Sequence, residues 1–274
     1  MATTSNSFCS PPLTRLPLTE LARPLPHRMR VRCFSSSPLS RFDAGRTLAQ
    51  IQNSGVIACL RANSPELAME AARAALGAGV SVLEIVMSTP GVLEVLEQLV
   101  LDYPAAVLGV GTVLNVKDAS IAMSVGARFL MSPAIVEGIM ADVQNSNVLY
   151  IPGVMTPNEI LLAYNAGAKI VKVYPVSALG GVNYISAIQK PFSHIPMVAS
   201  QGIAIESTDA YIAQGASAVV LSEAIFNSEA MSQHNFDLIY ELAKKASLLG
   251  SEAVDRKKRW MRQTCLQRGV STSH

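Results

Sequence analysis

The stretch LGAGVSVLEIVM, residues 76–87, sets the reading of the whole chain. It joins a small or polar segment, a glycine, and then a run of β-branched and aliphatic residues. Glycine tolerates the left-handed conformation that ends many helices, so the phrase reads as helix, tight turn and strand. It returns as SVGARFLMSP (124–133), NAGAKIVKVYP (165–175) and AQGASAVVLSE (213–223). The apolar runs after each glycine are nearly continuous, which is the pattern of parallel strands buried on both faces.

Further strand-like runs lie between these: GVIACL (55–60), AVLGVGTVL (106–114), VLYIPGV (148–154) and PMVASQGI (196–203). Helical segments separate them, several opening on a cap or proline signal: SPELAMEAARAAL (64–76), TPGVLEVLEQLV (89–100) and TPNEILLAYNA (156–166). Eight strands alternating with eight helices predict an α/β chain folded as one (β/α)8 TIM barrel over residues 43–248. Asp43–Asn53 forms a helix ahead of the first strand. An open doubly wound sheet is the competitor, but no G-x-G-x-x-G follows the first strand.

Composition narrows the class further. Half of the 274 residues are hydrophobic, ample for one large core. No apolar run approaches the roughly 18 residues a membrane span needs, so no membrane is expected as a partner. The cysteines, Cys9, Cys33, Cys59 and Cys265, have neither metal-ligand spacing nor disulfide density, which suits a reducing compartment. Charge is segregated. Residues 1–42 carry six arginines and one acid, Glu20, and residues 249–274 carry six bases and two acids. The middle therefore keeps ten of the 22 bases and seventeen of the 20 acids, a net of −7. An acidic middle argues against nucleic acid as a partner.

Residues 1–42 are rich in Ser, Thr and Pro, show no amphipathic period, and read as an organelle transit peptide. VRCFSSS (31–37) suits a plastid processing site, so the expected location is the chloroplast stroma; the mitochondrion is the alternative. A regulatory arm is the other use of such a segment. At the far end, DRKKRWMRQTCLQR (255–268) marks residues 249–274 as a basic tail holding the single tryptophan, Trp260. Most such charge runs are solvated.

In such a barrel, chemistry belongs at the C-terminal ends of the strands. The polar residues there are Arg61 on strand 1, Glu84, Ser88 and Thr89 on strand 2, and Thr112 on strand 3. Strand 4 ends at Ser132, strand 5 reaches Thr156, and strand 6 carries Lys172 and Tyr174. Strand 7 ends Ser200-Gln201-Gly202 and strand 8 ends Ser222-Glu223. Lys172 lies among apolar residues in AKIVKVYP (168–175), and Glu84 lies inside a strand. A structural ion pair is one reading. The other is a Schiff-base lysine, because an amine in apolar surroundings holds its proton less tightly and can act as a nucleophile. Glu84 then shuttles protons. Spacing alone leaves both open.

At these residues the sequence resembles the 2-keto-3-deoxy-6-phosphogluconate (KDPG) and 4-hydroxy-2-oxoglutarate (KHG) aldolases, class I enzymes on small (β/α)8 barrels, usually trimeric. The matching motifs fall in order over residues 43–248: VIACLRANSPE (56–66), VLEIVMSTP (82–90), GVGTVLN (109–115), SPAI, IPGVMTPNE and VKVYPVSALGG. The resemblance implies Lys172 as the Schiff-base lysine and Glu84 as the acid–base partner. It implies substrate contacts from Arg61, Ser88, Thr112, Pro152, Gly153, Gly180, Gly181, Gly202 and Ser222. It also implies a small keto-acid substrate, no cofactor or metal, and a homotrimer. Three positions depart from the family pattern. Ser88 stands where many members carry Arg or Asn, Gln201 where a T-G-G segment is common, and Glu223 where G-S often meets phosphate. The expected activity is cleavage of a 2-keto-4-hydroxy acid such as KDPG to pyruvate and an aldehyde. Alternatives are an aldolase or decarboxylase for a non-phosphorylated keto acid, or a catalytically idle barrel whose basic tail meets a partner.

Overall fold

A computed structural model of the protein describes residues 43–144 and 146–267, with side chains as far as Thr264. The transit peptide expected over 1–42, and residues 268–274 of the basic tail, lie outside the described residues. The strands are β1 (Val56–Leu60), β2 (Val82–Val86), β3 (Val107–Gly111), β4 (Phe129–Met131), β5 (Leu149–Ile151), β6 (Gly153–Val154), β7 (Val171–Val173), β8 (Met197–Ser200) and β9 (Ala218–Leu221). The helices are α1 (Ala44–Ser54), α2 (Pro65–Gly77), α3 (Val92–Asp102), α4 (Val116–Ser124), α5 (Glu137–Val143), α6 (Pro157–Asn165), α7 (Val182–Gln189), α8 (Thr208–Ala213), α9 (Ser228–Ser232) and α10 (Phe236–Gln267).

All strand pairs are parallel, in the order β5-β4-β3-β2-β1-β9-β8-β7-β6. The two ends of that order, β5 and β6, are consecutive in the chain and separated by Pro152 alone. The ring is thus a (β/α)8 barrel whose fifth strand is broken in two. The unbroken strand expected over 148–154 fails at Pro152 for a simple reason: proline has no N–H to give a ladder. Before it, the Ile151 carbonyl accepts from Ser132 N on the β4 side; after it, the Pro152 carbonyl accepts from Lys172 N at 2.8 Å. Gly153 fits here because a Cβ would collide with the Pro133 carbonyl.

The repeated phrase does what its composition dictates. Gly79, Gly126, Gly167 and Gly215 all sit at φ between 99° and 120°, turning each helix into the next strand. Inside the ring, Ile57, Val82, Val107, Phe129, Met131, Leu149, Ile151, Ile170, Val198, Ala218 and Val220 form one buried cluster. Ile51 of α1 joins it from below, with Leu48 and Ala44 packed alongside, so α1 plugs the N-terminal end of the barrel. Asp43 caps α1, its carboxylate accepting from Arg46 N at 2.8 Å.

The boundary that charge suggests at residue 249 falls inside α10, a single 32-residue helix. This helix lies across α1, α2, α8 and β1, the seam where the chain's first strand meets its last. Most of its bases are on the outside, but Lys257 is half-buried and donates to the Gly215 and Ala216 carbonyls, Ala253 and Val254 pack on Ile212, and Gly250 leaves no space for a Cβ against Val56 and the Ser54 carbonyl. Charge patterning alone hides that buried stripe. Deleting residues 249–274 is expected to lower the melting temperature measured by circular dichroism, since one buried Val side chain alone contributes about 1.5–3 kcal/mol. An unchanged melting curve would contradict this packing.

Candidate active site

Above the apolar cluster, the next interior layer is polar. β1, β2, β7 and the end of β9 supply Cys59, Glu84, Lys172 and Ser222 at the C-terminal mouth. Glu84 is 1 % exposed and Lys172 is 6 % exposed. In-register pairing sets their neighbours: Cys59 opposite Glu84, Glu84 opposite Gly109, Gly153 opposite Lys172, and Lys172 opposite Val198. The Lys172 Nζ lies 5.1 Å from the centroid of the Tyr174 ring. The structural ion pair is not what the geometry offers. Among the described residues no salt bridge includes Lys172 or Glu84, and Glu84 Oε2 has no hydrogen-bond partner. A buried carboxylate oxygen left bare is costly, which points to function over stability.

Glu84 fits because of Gly111. A Cβ at Gly111 would overlap Glu84 Oε1. Gly111→Ala is therefore expected to displace the carboxylate and lower turnover about 10²-fold while the barrel still folds, since misplacement of about 1 Å has that effect. Steady-state kinetics beside a thermal melt would check it; wild-type turnover would show that Glu84 does not need its present place.

Cys59 is a member of this layer that nothing in the sequence, beyond the lack of metal-ligand spacing and disulfide density, singles out. Burial pushes its thiol well above the usual range, the nearby Glu84 charge adds to that, and Lys172 acts in the opposite direction. The Glu84 carboxylate beside the thiol also favours its protonated form through hydrogen bonding, while the Ser222 hydroxyl works the other way.

Around the rim, Arg61 Nη1 donates to Ser88 Oγ at 2.7 Å, joining two residues the sequence placed at separate strand ends. A pocket of about 300 Å3 beside them is lined by Arg61, Asn63, Ser222, Glu223, Phe226 and Ser228. Glu223 Oε1 accepts from Ser228 N at 2.9 Å. Ser177 donates to Gln201 Oε1. Thr112 and Gln201 both hold positive φ, 57° and 88°, where non-glycine residues are strained, and such strain clusters at functional sites. Gly180 and Gly181 follow the turn Val176–Leu179 and open α7 at φ 107° and 63°. Gly202 packs against Ser177, where a Cβ would approach to 2.6 Å. Pro152 and Gly153 are buried, and their visible task is the strand break beneath Lys172.

A closed (β/α)8 barrel carrying a buried amine and carboxylate at its C-terminal mouth has the architecture of an aldolase-type carbon–carbon lyase. The family described as "Aldolase: KDPG and KHG aldolase" matches residues 48–242. The 2-dehydro-3-deoxy-phosphogluconate aldolase of Dickeya dadantii is 29% identical over 198 residues, covering 72% of this chain and 93% of its own. The KHG/KDPG aldolase of Escherichia coli K12 is 29% identical over 181 residues, 66% of this chain and 85% of its own. Among solved structures, the KDPG aldolase of Legionella pneumophila, with pyruvate captured as a covalent carbinolamine, superposes with a TM-score of 0.68 at 28% identity, covering 73% of this chain and 97% of that one. The chain belongs to the KDPG and KHG aldolase family.

Proposed function

We propose that the protein cleaves a 2-keto-4-hydroxy acid of the KDPG type through an imine on Lys172. The observation that carries this is the buried, unpaired couple of Lys172 and Glu84 at the barrel mouth. The Lys172 amine attacks the C2 ketone, giving a carbinolamine. Loss of water leaves a protonated imine, and its C=N bond is the electron sink for breaking C3–C4. Glu84, directly or through water, accepts the C4 hydroxyl proton as the aldehyde departs. The electron pair of the broken bond stays as an enamine. Glu84 returns its proton to C3, and water then hydrolyses the imine, freeing pyruvate and restoring the amine. Thr112, Arg61 and Ser88 position the keto-acid carboxylate.

A second reading, cleavage of a non-phosphorylated keto acid, is favoured by Glu223. Its exposed carboxylate lines the mouth pocket and already holds the Ser228 N–H. A carboxylate beside a phosphate is repulsive. Measuring kcat/KM on KDPG against its dephosphorylated analogue separates the two readings.

The test of the shared chemistry is borohydride trapping. The full chain is incubated with pyruvate, reduced, and mapped by mass spectrometry. A pyruvyl adduct on Lys172 is the expected result; a folded protein that forms none overturns the imine. We further propose a plastid protein and a homotrimer. Support for the trimer comes from Leu114, Met155, Leu161 and Leu162, each more than 40% exposed, the first two just ahead of α4 and α6 and the other two on α6. Sedimentation of a monomer alone would remove the trimer, and a fluorescent fusion of residues 1–42 that stays outside plastids would remove the location.

A further inference from the structure

The mechanism above leaves Cys59 without a task, yet it stands beside Glu84. Cys59 and Glu84 are in-register partners on neighbouring strands. Cys59 packs on the interior cluster, so its side chain points into the barrel, as does the buried Glu84. On another side the carboxylate lies over the bare backbone of Gly111. Glu84 Oε2 is unpartnered, and no cation pairs with the carboxylate among the described residues. Beyond the thiol stands Ser222, exposed at the mouth.

We propose that Cys59 is a positioning residue for the proton shuttle: its thiol holds the Glu84 carboxylate over Gly111 and ties it to Ser222 at the mouth. This rests on Lys172 and Glu84 acting as described above. The choice of a thiol has a physical sense. An Arg or Lys at this place would form a strong charge-assisted bond and fix the carboxylate as an anion. A thiol is a weak donor. Burial and the neighbouring charge keep it protonated, so it steadies the group and leaves one oxygen open to take and return a proton.

The test compares the wild type with Cys59→Val, which is apolar, slightly larger and deletes the donor, and Cys59→Ser, which keeps a donor. Cys59→Ala serves as a second deletion should Val disturb folding. Two rates are read on each with pyruvate: borohydride trapping on Lys172, and exchange of the methyl protons with deuterated solvent by NMR. Exchange needs the shuttle; trapping does not. In the Val variant, exchange is expected to fall about 10- to 100-fold, within the range of general acid–base contributions, while trapping stays within about twofold. Ser is expected to restore exchange to within about threefold of wild type. Exchange at the wild-type rate in the Val and Ala variants overturns the proposal. So does an equal fall in both rates, which marks a packing role, or a Ser variant no better than Val. A wild type that neither traps nor exchanges overturns the Lys172 imine itself, and Cys59 falls with it.

Discussion

Lys172→Met is expected to abolish turnover and leave no reducible pyruvate adduct. Methionine has nearly the same length and is apolar, so it fills the space between Val198 and Gly153 without an amine. No other lysine among the described residues stands in the polar layer of the mouth, so no second amine can inherit the ketone. The same substitution removes a polar group that is 6 % exposed and has no ion-pair partner among the described residues. Replacing such a group by an apolar one is neutral or stabilising. The melting temperature is therefore expected to hold or rise while activity vanishes. That opposition distinguishes a chemical role from a structural one. Retained turnover in a variant confirmed by mass spectrometry would remove Lys172 from the mechanism.

Glu84→Gln separates the two halves of the chemistry. The amide has the shape of the carboxylate and still clears Gly111, but it does not accept a proton at neutral pH. Trapping of pyruvate on Lys172 is expected to survive. Cleavage is expected to slow by roughly 10²–10⁴-fold, the usual size of a general acid–base contribution. Rapid-quench measurement of aldehyde release, set beside the trapping rate, reads both steps in one sample. Cleavage at the wild-type rate would assign proton transfer elsewhere.

Much of the barrel is legible in the sequence because one constraint repeats. A helix that must turn at once into a buried parallel strand needs a residue at ease with positive φ, and Gly79, Gly126, Gly167 and Gly215 supply it each time. Lys172 and Glu84 stand out because a charge inside a nearly continuous apolar run needs a reason. What the sequence hides is contact across strands. Gly111 reads as one more small strand residue until Glu84 is seen lying over it. Cys59 is an ordinary core residue until register sets it opposite Glu84. Gln201 carries no mark of its strained backbone. The C-terminal helix is misread for the opposite reason: six bases dominate the composition of residues 249–274, while Gly250, Ala253 and Val254 continue a buried stripe that begins with Ile239, Ala243 and Ala246.

The seam between β1 and β9 also sets an order of events for the growing chain. Val56 pairs with Val219, so the ring's last ladder joins residues made at opposite ends of synthesis. Closing so long a loop is the slow, entropically expensive step in forming such a topology. Until β9 emerges, the apolar edge of β1 has no strand beside it, and an uncovered edge invites wrong partners. Both Glu84 and Lys172 have long left the ribosome by then, but their layer is still open on the side that Ser222 completes. Helix α10, which emerges after β9, then lies across the newly closed seam. A nascent chain stalled before residue 218 thus carries every atom of the amine and the carboxylate, and no vessel to keep them in.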